Sequence, residues 1–420
     1  MKVPPGNQDE GMSGSIDGRG RRWAGFFGLQ RNLVLLLVAI VLIGSGEELW
    51  VRFVPKYLES LGAGVLLIGL YDGLKTLLGA VYAYPGGVLV DRWGHRRALM
   101  AFNALSIAGY ALVALVPHPA TVIIGMFLYL AWSCLSLPAT FSLIGASLGA
   151  DQHAMGIGVQ SAIKRLPIII GPVIGGLLID RFGVVSGVRL ALLVSIVAGF
   201  AAFFAQNRIK DSAPLAPSSP TVGFRGAVRL FHPALRRLLL SDILIRFCER
   251  LPFAWVIIYA MDNLGVSAAQ AGMLTAVEMI FSIACLLPAA HLADRYGREP
   301  FVLGTFVFFT LFPLTLWAAG GLAMLTVAFA VRGLKEFGEP ARKALIIGFC
   351  PAESRGELVG AYYLIRDLIV TVGSVAGALL WKIGGPSANF LTAAAIGTVA
   401  TLFFAATLRQ KHPPLAAIVW

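Results

Sequence analysis

Gly87-Val88-Leu89-Val90-Asp91-Arg92-Trp93-Gly94-His95-Arg96-Arg97 joins two long apolar runs, and its reading decides the fold. One acid and three arginines crowd a stretch flanked on both sides by residues that avoid water. Gly94 permits a tight turn between two helices, because a residue without Cβ tolerates positive φ. A short basic turn between apolar runs is what a loop at a membrane surface looks like. The turn has an echo: Asp91-Arg92-Trp93-Gly94 recurs as Asp294-Arg295-Tyr296-Gly297, 203 positions later. Working outward, Pro85 falls on Pro288, Tyr57 on Tyr259, Pro138 on Pro340, Gly171 on Gly373 and Gly175 on Gly377, always 202 or 203 apart. An offset held so closely along the chain marks two parallel repeats.

Apolar segments flank these landmarks at about 33–57, 65–90, 98–117, 120–148, 156–180 and 187–205, and again at 238–262, 268–290, 300–319, 322–349, 357–381 and 385–408. Each reaches or approaches the roughly 20 residues that cross a bilayer core of about 30 Å. Only 13% of the chain is charged, against about 25% in soluble domains. The expected fold is an all-α membrane protein, with twelve transmembrane helices in two pseudo-symmetric six-helix bundles. The expected divisions are a flexible basic tail over 1–32, one bundle over 33–205, a Pro- and Ser-rich linker over 206–236, a second bundle over 237–408 and a tail over 409–420.

The net charge of +12 invites a nucleic-acid reading, but the placement of the charge argues against it. Of 34 lysines and arginines, 21 fall on the side of the tails, the linker and the quoted turn, 5 on the other side, and 8 within apolar segments. Cations accumulate on the cytoplasmic face, so both termini and the linker are expected there, in a multi-pass protein of a bacterial inner membrane. Cys134, Cys248, Cys285 and Cys350 show no CxxC spacing and read as small buried residues. No metal motif, cofactor motif or Walker sequence occurs, so no cofactor is expected and ATP is not the direct energy source.

The stretch at 87–97 resembles the GxLxDRxGRR signature of the major facilitator superfamily, with His95 where that family usually has Arg or Lys. The resemblance implies a cytoplasmic gate built from Gly87, Asp91, Arg92, Gly94, Arg96 and Arg97, with Asp294 and Arg295 as its weaker counterpart. Gly171, Pro172, Gly175 and Gly176 resemble the GPxxGG core found in the family's drug:proton antiporters, and as small residues they also suit close helix packing. The antiporters usually carry an Arg in the fourth helix, whereas this chain has Leu130 and Trp132 there and an Arg332-Gly333 pair in the tenth. Gly145-Ala146-Ser147-Leu148-Gly149 fits the letters of a serine-hydrolase elbow but ends an apolar helix instead of following a strand, so an enzyme is not expected.

Ionisable residues inside a membrane cost at least about 2.5–3.5 kcal/mol each on insertion scales, so they face partners or a wet cavity. Candidates for substrate binding or proton coupling are Glu47 and Glu48 on the first segment, Asp72 and Lys75 on the second, and Lys164 and Arg165 on the fifth. The second half adds Arg246, Glu249 and Arg250, then Glu278, then Arg332 and Glu336, then Arg366 and Asp367. Arg332, Lys335, Glu336, Glu339, Arg342 and Lys343 follow helical spacing and form one polar stripe. Lys75 aligns with Glu278 and Arg165 with Asp367 in the repeat, which predicts attractive pairs across the two halves.

These residues predict a secondary transporter working by alternating access, proton-coupled and an exporter of a small polar, anionic or amphiphilic compound, with Glu47 or Glu249 carrying the proton. A uniporter or symporter for an organic anion, or a non-transporting receptor of transporter fold, is the alternative. Expected partners are the substrate, protons and the bilayer, with the protein acting as a monomer.

Overall fold

The computed structural model describes residues 31–136, 140, 143, 153–210, 223–351 and 355–409, and among them no strand occurs. The first half contains α1 (Arg31–Glu47), α2 (Val54–Ser60), α3 (Val65–Trp93), α4 (His95–Leu115), α5 (Pro119–Leu130), α6 (His153–Phe182) and α7 (Val184–Asn207). The linker carries a short helix that its composition does not announce, α8 (Gly223–Arg229). The second half contains α9 (Pro233–Phe253), α10 (Trp255–Ile258), α11 (Ala268–Tyr296), α12 (Glu299–Trp317), α13 (Leu322–Leu334), α14 (Glu339–Gly348) and α15 (Arg355–Arg409).

These helices fall on the twelve apolar segments read from the sequence. The first, seventh and tenth segments are each broken in two, while α15 runs through the last two with a bend at Gly384 and Gly385. Among the described residues, seven helical stretches are long and apolar enough to cross a membrane. The fourth, fifth, seventh and tenth segments fall outside that set, the fourth because its described helix is shorter.

Local chemistry explains the boundaries. His118 and His232 precede Pro119 and Pro233, and each imidazole accepts a backbone N–H of the first turn while proline presets the helix. Ser267 and Gln270 form a reciprocal capping box that starts α11. Six glycines among the described residues have positive φ: Gly62, Gly94, Gly183, Gly265, Gly297 and Gly385. They form three pairs, 62 with 265, 94 with 297 and 183 with 385, at the same 202–203 offset as the repeated letters. The duplication is therefore written into the backbone turns as well as the motifs.

The apolar core shows how the halves meet. One cluster draws on both, with Trp50, Phe53 and Tyr57 beside Trp255, Tyr259 and Phe390. Two further clusters stay within single halves, one around Leu36, Phe102 and Trp132, the other around Leu235, Phe306 and Tyr362. At the end where the core is shared, Lys56 pairs with Asp262 across the halves. Asp180 there accepts the backbone N–H groups of Ala268 and Ala269 at 2.8 and 2.9 Å, a carboxylate on the positive end of α11. Toward the end that carries α8, the cores part.

Close approach along the seams depends on glycine. A Cβ on Gly175 would lie 1.7 Å from the Leu49 carbonyl oxygen, and one on Gly377 would lie 2.2 Å from that of Leu251. Both pairs are related by the repeat, so the GPxxGG segment and its counterpart clamp equivalent points, just past the end of α1 and on α9. Between the halves, Gly176 and Gly272 admit the backbones of Ala268 and Pro172, and Gly69 admits Ala378.

Candidate functional site

Between the halves lies a cavity of about 370 Å³. Its position follows from the break in the first segment. Gly46 presses onto Ser195 of α7, where a Cβ would come within 2.6 Å of the Ser195 Cα. The Trp50 indole donates to Ser195 Oγ at 3.1 Å and packs edge-on against Tyr110 and Tyr129. Tyr129 in turn shares a 2.8 Å hydrogen bond with the hydroxyl of Tyr71. This aromatic wall holds the chain where α1 stops, and Glu47, Glu48 and Arg52 line the cavity there.

The first half supplies most of the charge on the cavity wall: Glu47, Glu48, Arg52, Asp72, Lys75 and Lys164. From the second half, Arg332 is the one charged lining residue among those described, beside Phe253, Val256, Ile257 and Thr275. Pairing is loose. Arg52 reaches Glu48 at 3.8 Å, and the Arg332 Nε reaches Glu278 at 3.3 Å. Among the described residues, Glu47, Lys75 and Lys164 form no ion pair within 4.0 Å, although Glu47 sits in the field of both lysines and beside Ser133. Asp72 is the best satisfied, accepting the Ser374 hydroxyl at 2.6 Å with Arg250 at 3.7 Å, both from the opposite half.

The remaining charges of the second half turn inward. Asp242, fully buried, binds Arg342 at 2.5 Å, the Tyr362 hydroxyl at 3.1 Å and Arg366 at 3.4 Å. Arg246 joins Glu249 at 2.8 Å to Glu339 at 3.1 Å, and Glu339 returns to Arg342 at 2.6 Å. Lys335 bridges Glu249 at 2.8 Å and Glu278 at 3.6 Å, which brings the chain of contacts back to Arg332 on the cavity wall.

Several sequence expectations change here. The expected Lys75–Glu278 and Arg165–Asp367 pairs do not form. Glu278 is held by Arg332 and Lys335, Arg165 donates to Ser282 at 2.9 Å, and Asp367 binds its neighbour Arg366 at 2.7 Å. Equal depth in a repeat does not set which way a side chain turns. At the cavity the halves are instead tied by an ion pair between Asp72 and Arg250. Glu249 lies in the network and not on the cavity wall, and Glu336 joins none of the ion pairs among the described residues.

Three site residues escaped the sequence reading. Asp242 has no acidic partner in the repeat, but its spacing to Arg246 and Glu249 puts all three on one helix face. In the sequence count Arg52 falls among the five cations on the side opposite the tails, and Arg342 among the 21 on the side of the tails as well as on the polar stripe. Arg342 is 2% exposed because the tenth segment breaks after Leu334, with Gly338 tight against Phe301, and resumes as α14 from Glu339. Arg52 faces the cavity because α1 breaks before it.

At the quoted turn, Gly94 has φ of 79°, as a tight helix–helix junction requires. Arg92, Arg96, Arg97 and Arg295 are exposed, Arg96 donating to Asn207. His95, the departure from the motif, is buried. The side chains of Asp91 and Asp294, the surroundings of Gly87, and the stretch 145–149 lie outside the described residues.

The family model described as Major Facilitator Superfamily matches residues 35–248 and 238–418. A multidrug resistance protein MdtG of Escherichia fergusonii is 23% identical over 419 residues, covering 92% of this chain and 96% of its own. An MFS-type transporter of Methanocaldococcus jannaschii is 22% identical over 365 residues, covering 85% of this chain and 93% of its own. The crystal structure of the nucleoside transporter NupG shares the fold at a TM-score of 0.73 and 13% identity, covering 91% of this chain and all of NupG.

Proposed function

Because the chain belongs to the Major Facilitator Superfamily and is a multi-pass membrane transporter, we propose that it is a proton-coupled exporter of small polar, anionic or amphiphilic compounds. The efflux relatives at low identity support export. The observation that carries proton coupling is Glu47, a carboxylate on the cavity wall with no ion pair among the described residues, next to Glu48. A carboxylate locked between two cations, as Glu249 is, has no freedom to exchange its proton with a substrate. One that faces the cavity has, and intramembrane acids serve as proton relays in this way.

The asymmetry of lysine and arginine puts α8 and both termini on the cytoplasmic side of an inner membrane. The shared core and the Lys56–Asp262 contact then close the outer side, and the parted cores leave the cavity accessible from within. Alternating access is a rocking of the halves along the α6–α11 and α3–α15 seams. In this reading the turn at Asp91–Gly94 and its counterpart at Asp294–Gly297 make the cytoplasmic closure.

The test uses proteoliposomes with an imposed pH gradient and two aromatic probes, naphthalenesulfonate and naphthylmethyl-trimethylammonium. The native protein should accumulate one of them against its gradient, with matching proton flux. Glu47→Gln should abolish accumulation and spare exchange of probe between the two sides. Undiminished accumulation by that variant would sink proton coupling through Glu47.

A further inference from the structure

The wall of the cavity is not charge-balanced. Among the described residues it carries three acids, Glu47, Glu48 and Asp72, against four cations, Arg52, Lys75, Lys164 and Arg332. Asp72 is already engaged by Arg250 and Ser374, neither of them on the wall. Arg332 is likewise drawn to Glu278 off the wall and Arg52 to Glu48, so among the described residues Lys75 and Lys164 stand against Glu47 alone and the space left for a ligand is net positive, in a setting where unpaired charge is expensive.

Arg332 shows what the excess is for. Its side chain is 7% exposed, yet among the described residues its one ion pair is the 3.3 Å contact from Nε to Glu278, a carboxylate that Lys335 shares. Among the described residues its two Nη groups have no hydrogen-bond acceptor, in contrast to Arg342, which donates from Nε and both Nη atoms. The guanidinium is nonetheless held in place, with Phe253, Phe312 and Phe329 ring centroids 5.4, 5.1 and 5.8 Å from its carbon. A fixed planar fork with free donors matches a carboxylate, sulfonate or phosphate. Arg52 lines the same cavity from the other half, bound among the described residues at 3.8 Å to Glu48 alone, and lies within electrostatic reach of the same Glu278.

We infer that the cavity takes an organic anion, its acidic group gripped between Arg52 of the first half and Arg332 of the second, and its apolar body against Phe253, Val256 and Ile257. The inference rests on the transporter reading above and supplies its substrate class. Lys75 and Lys164 add to the positive field, and because the arginines belong to different halves, the bound anion itself ties them together.

The test is equilibrium binding to the purified protein in detergent, without any gradient, of naphthalenesulfonate, naphthylmethyl-trimethylammonium and neutral naphthylmethanol, which share one ring system. The anion should bind at least tenfold more tightly than the cation. Arg52→Gln and Arg332→Gln should each weaken the anion at least tenfold and leave naphthylmethanol unchanged, while Arg332→Lys should keep an intermediate affinity. If Arg332→Gln does not fold, Arg52→Gln and Arg332→Lys carry the test. Equal or tighter binding of the cation, an unchanged preference in Arg52→Gln and Arg332→Lys, or no anion binding by folded protein would each overturn the assignment. Anion binding without gradient-driven movement in vesicles would sink the exporter reading alone; movement of the cation without anion preference would sink the substrate class alone.

Discussion

Glu47 and Glu249 occupy equivalent places in the repeat and have opposite surroundings. Glu47 faces a cavity with no ion pair among the described residues. Glu249 is fastened to Arg246 and Lys335, each at 2.8 Å, inside a network that runs from Asp242 to Arg332. The backbones of the two halves agree in their left-handed glycines but part here, since α1 stops at Glu47 while α9 runs on to Phe253, so the difference lies in the helix break as well as in the side chains. Duplication supplied one scaffold twice. The first half spends its intramembrane charge on a cavity, and the second spends its charge on itself.

The largest expected effect tests the closed network. Arg342→Gln strips the fully buried Asp242 of its closest cation, and breaking a buried pair from one side costs about 3–5 kcal/mol. The variant should accumulate poorly and melt far below the native protein. Lys75→Gln, on the open wall, should change the melting temperature little and slow transport. If thermal unfolding ranks the two variants the other way, the division of labour between the halves is wrong.

A middle-sized effect probes what the halves share. Gly175→Ala forces a Cβ toward the Leu49 carbonyl, and Gly377→Ala does the same at Leu251. Overpacking of this kind costs about 1–3 kcal/mol. Both variants should lose stability, but only Gly175→Ala moves the break that presents Glu47 and Glu48, so it alone should also depress probe binding. Equal loss of binding in the two would blur the contrast.

The smallest effect concerns the closed end. Lys56 and Asp262 are partly exposed, at 16% and 38% of their side chains, and such pairs contribute about 0–1 kcal/mol. Lys56→Gln should leave melting unchanged within that margin and raise the opening rate only modestly, as read by labelling a cysteine placed at Thr275 from the outer side. A loss of stability beyond about 1 kcal/mol would show that this end is held by charge more than by its shared apolar core.

The sequence made most of the architecture legible. The turn at 87–97, its echo and the spacing of apolar segments located the two bundles, because apolar length and positive loops are local signals. Part of the site was legible too: Glu47, Glu48, Asp72, Lys75, Lys164 and Arg332 all line the cavity. Arg52 and Arg342 were misplaced because two segments that read as continuous helices are broken. Those breaks depend on Ser195 and Phe301, distant residues that press against Gly46 and Gly338.

What the sequence determined by itself was therefore the helices, their order and their duplication. Lipid offers no hydrogen bonds, so each crossing segment must satisfy its own backbone, and the evidence for it lies within some twenty consecutive residues. What only the tertiary structure decided was which charges meet. Partner choice depends on the rotation, tilt and interruption of helices packed from far along the chain, and it turned Lys75 from an ion-pair partner into a wall of the cavity. It also joined Asp72 to Arg250, 178 residues away, and set Arg332 on the cavity wall with no acceptor for its Nη groups among the described residues.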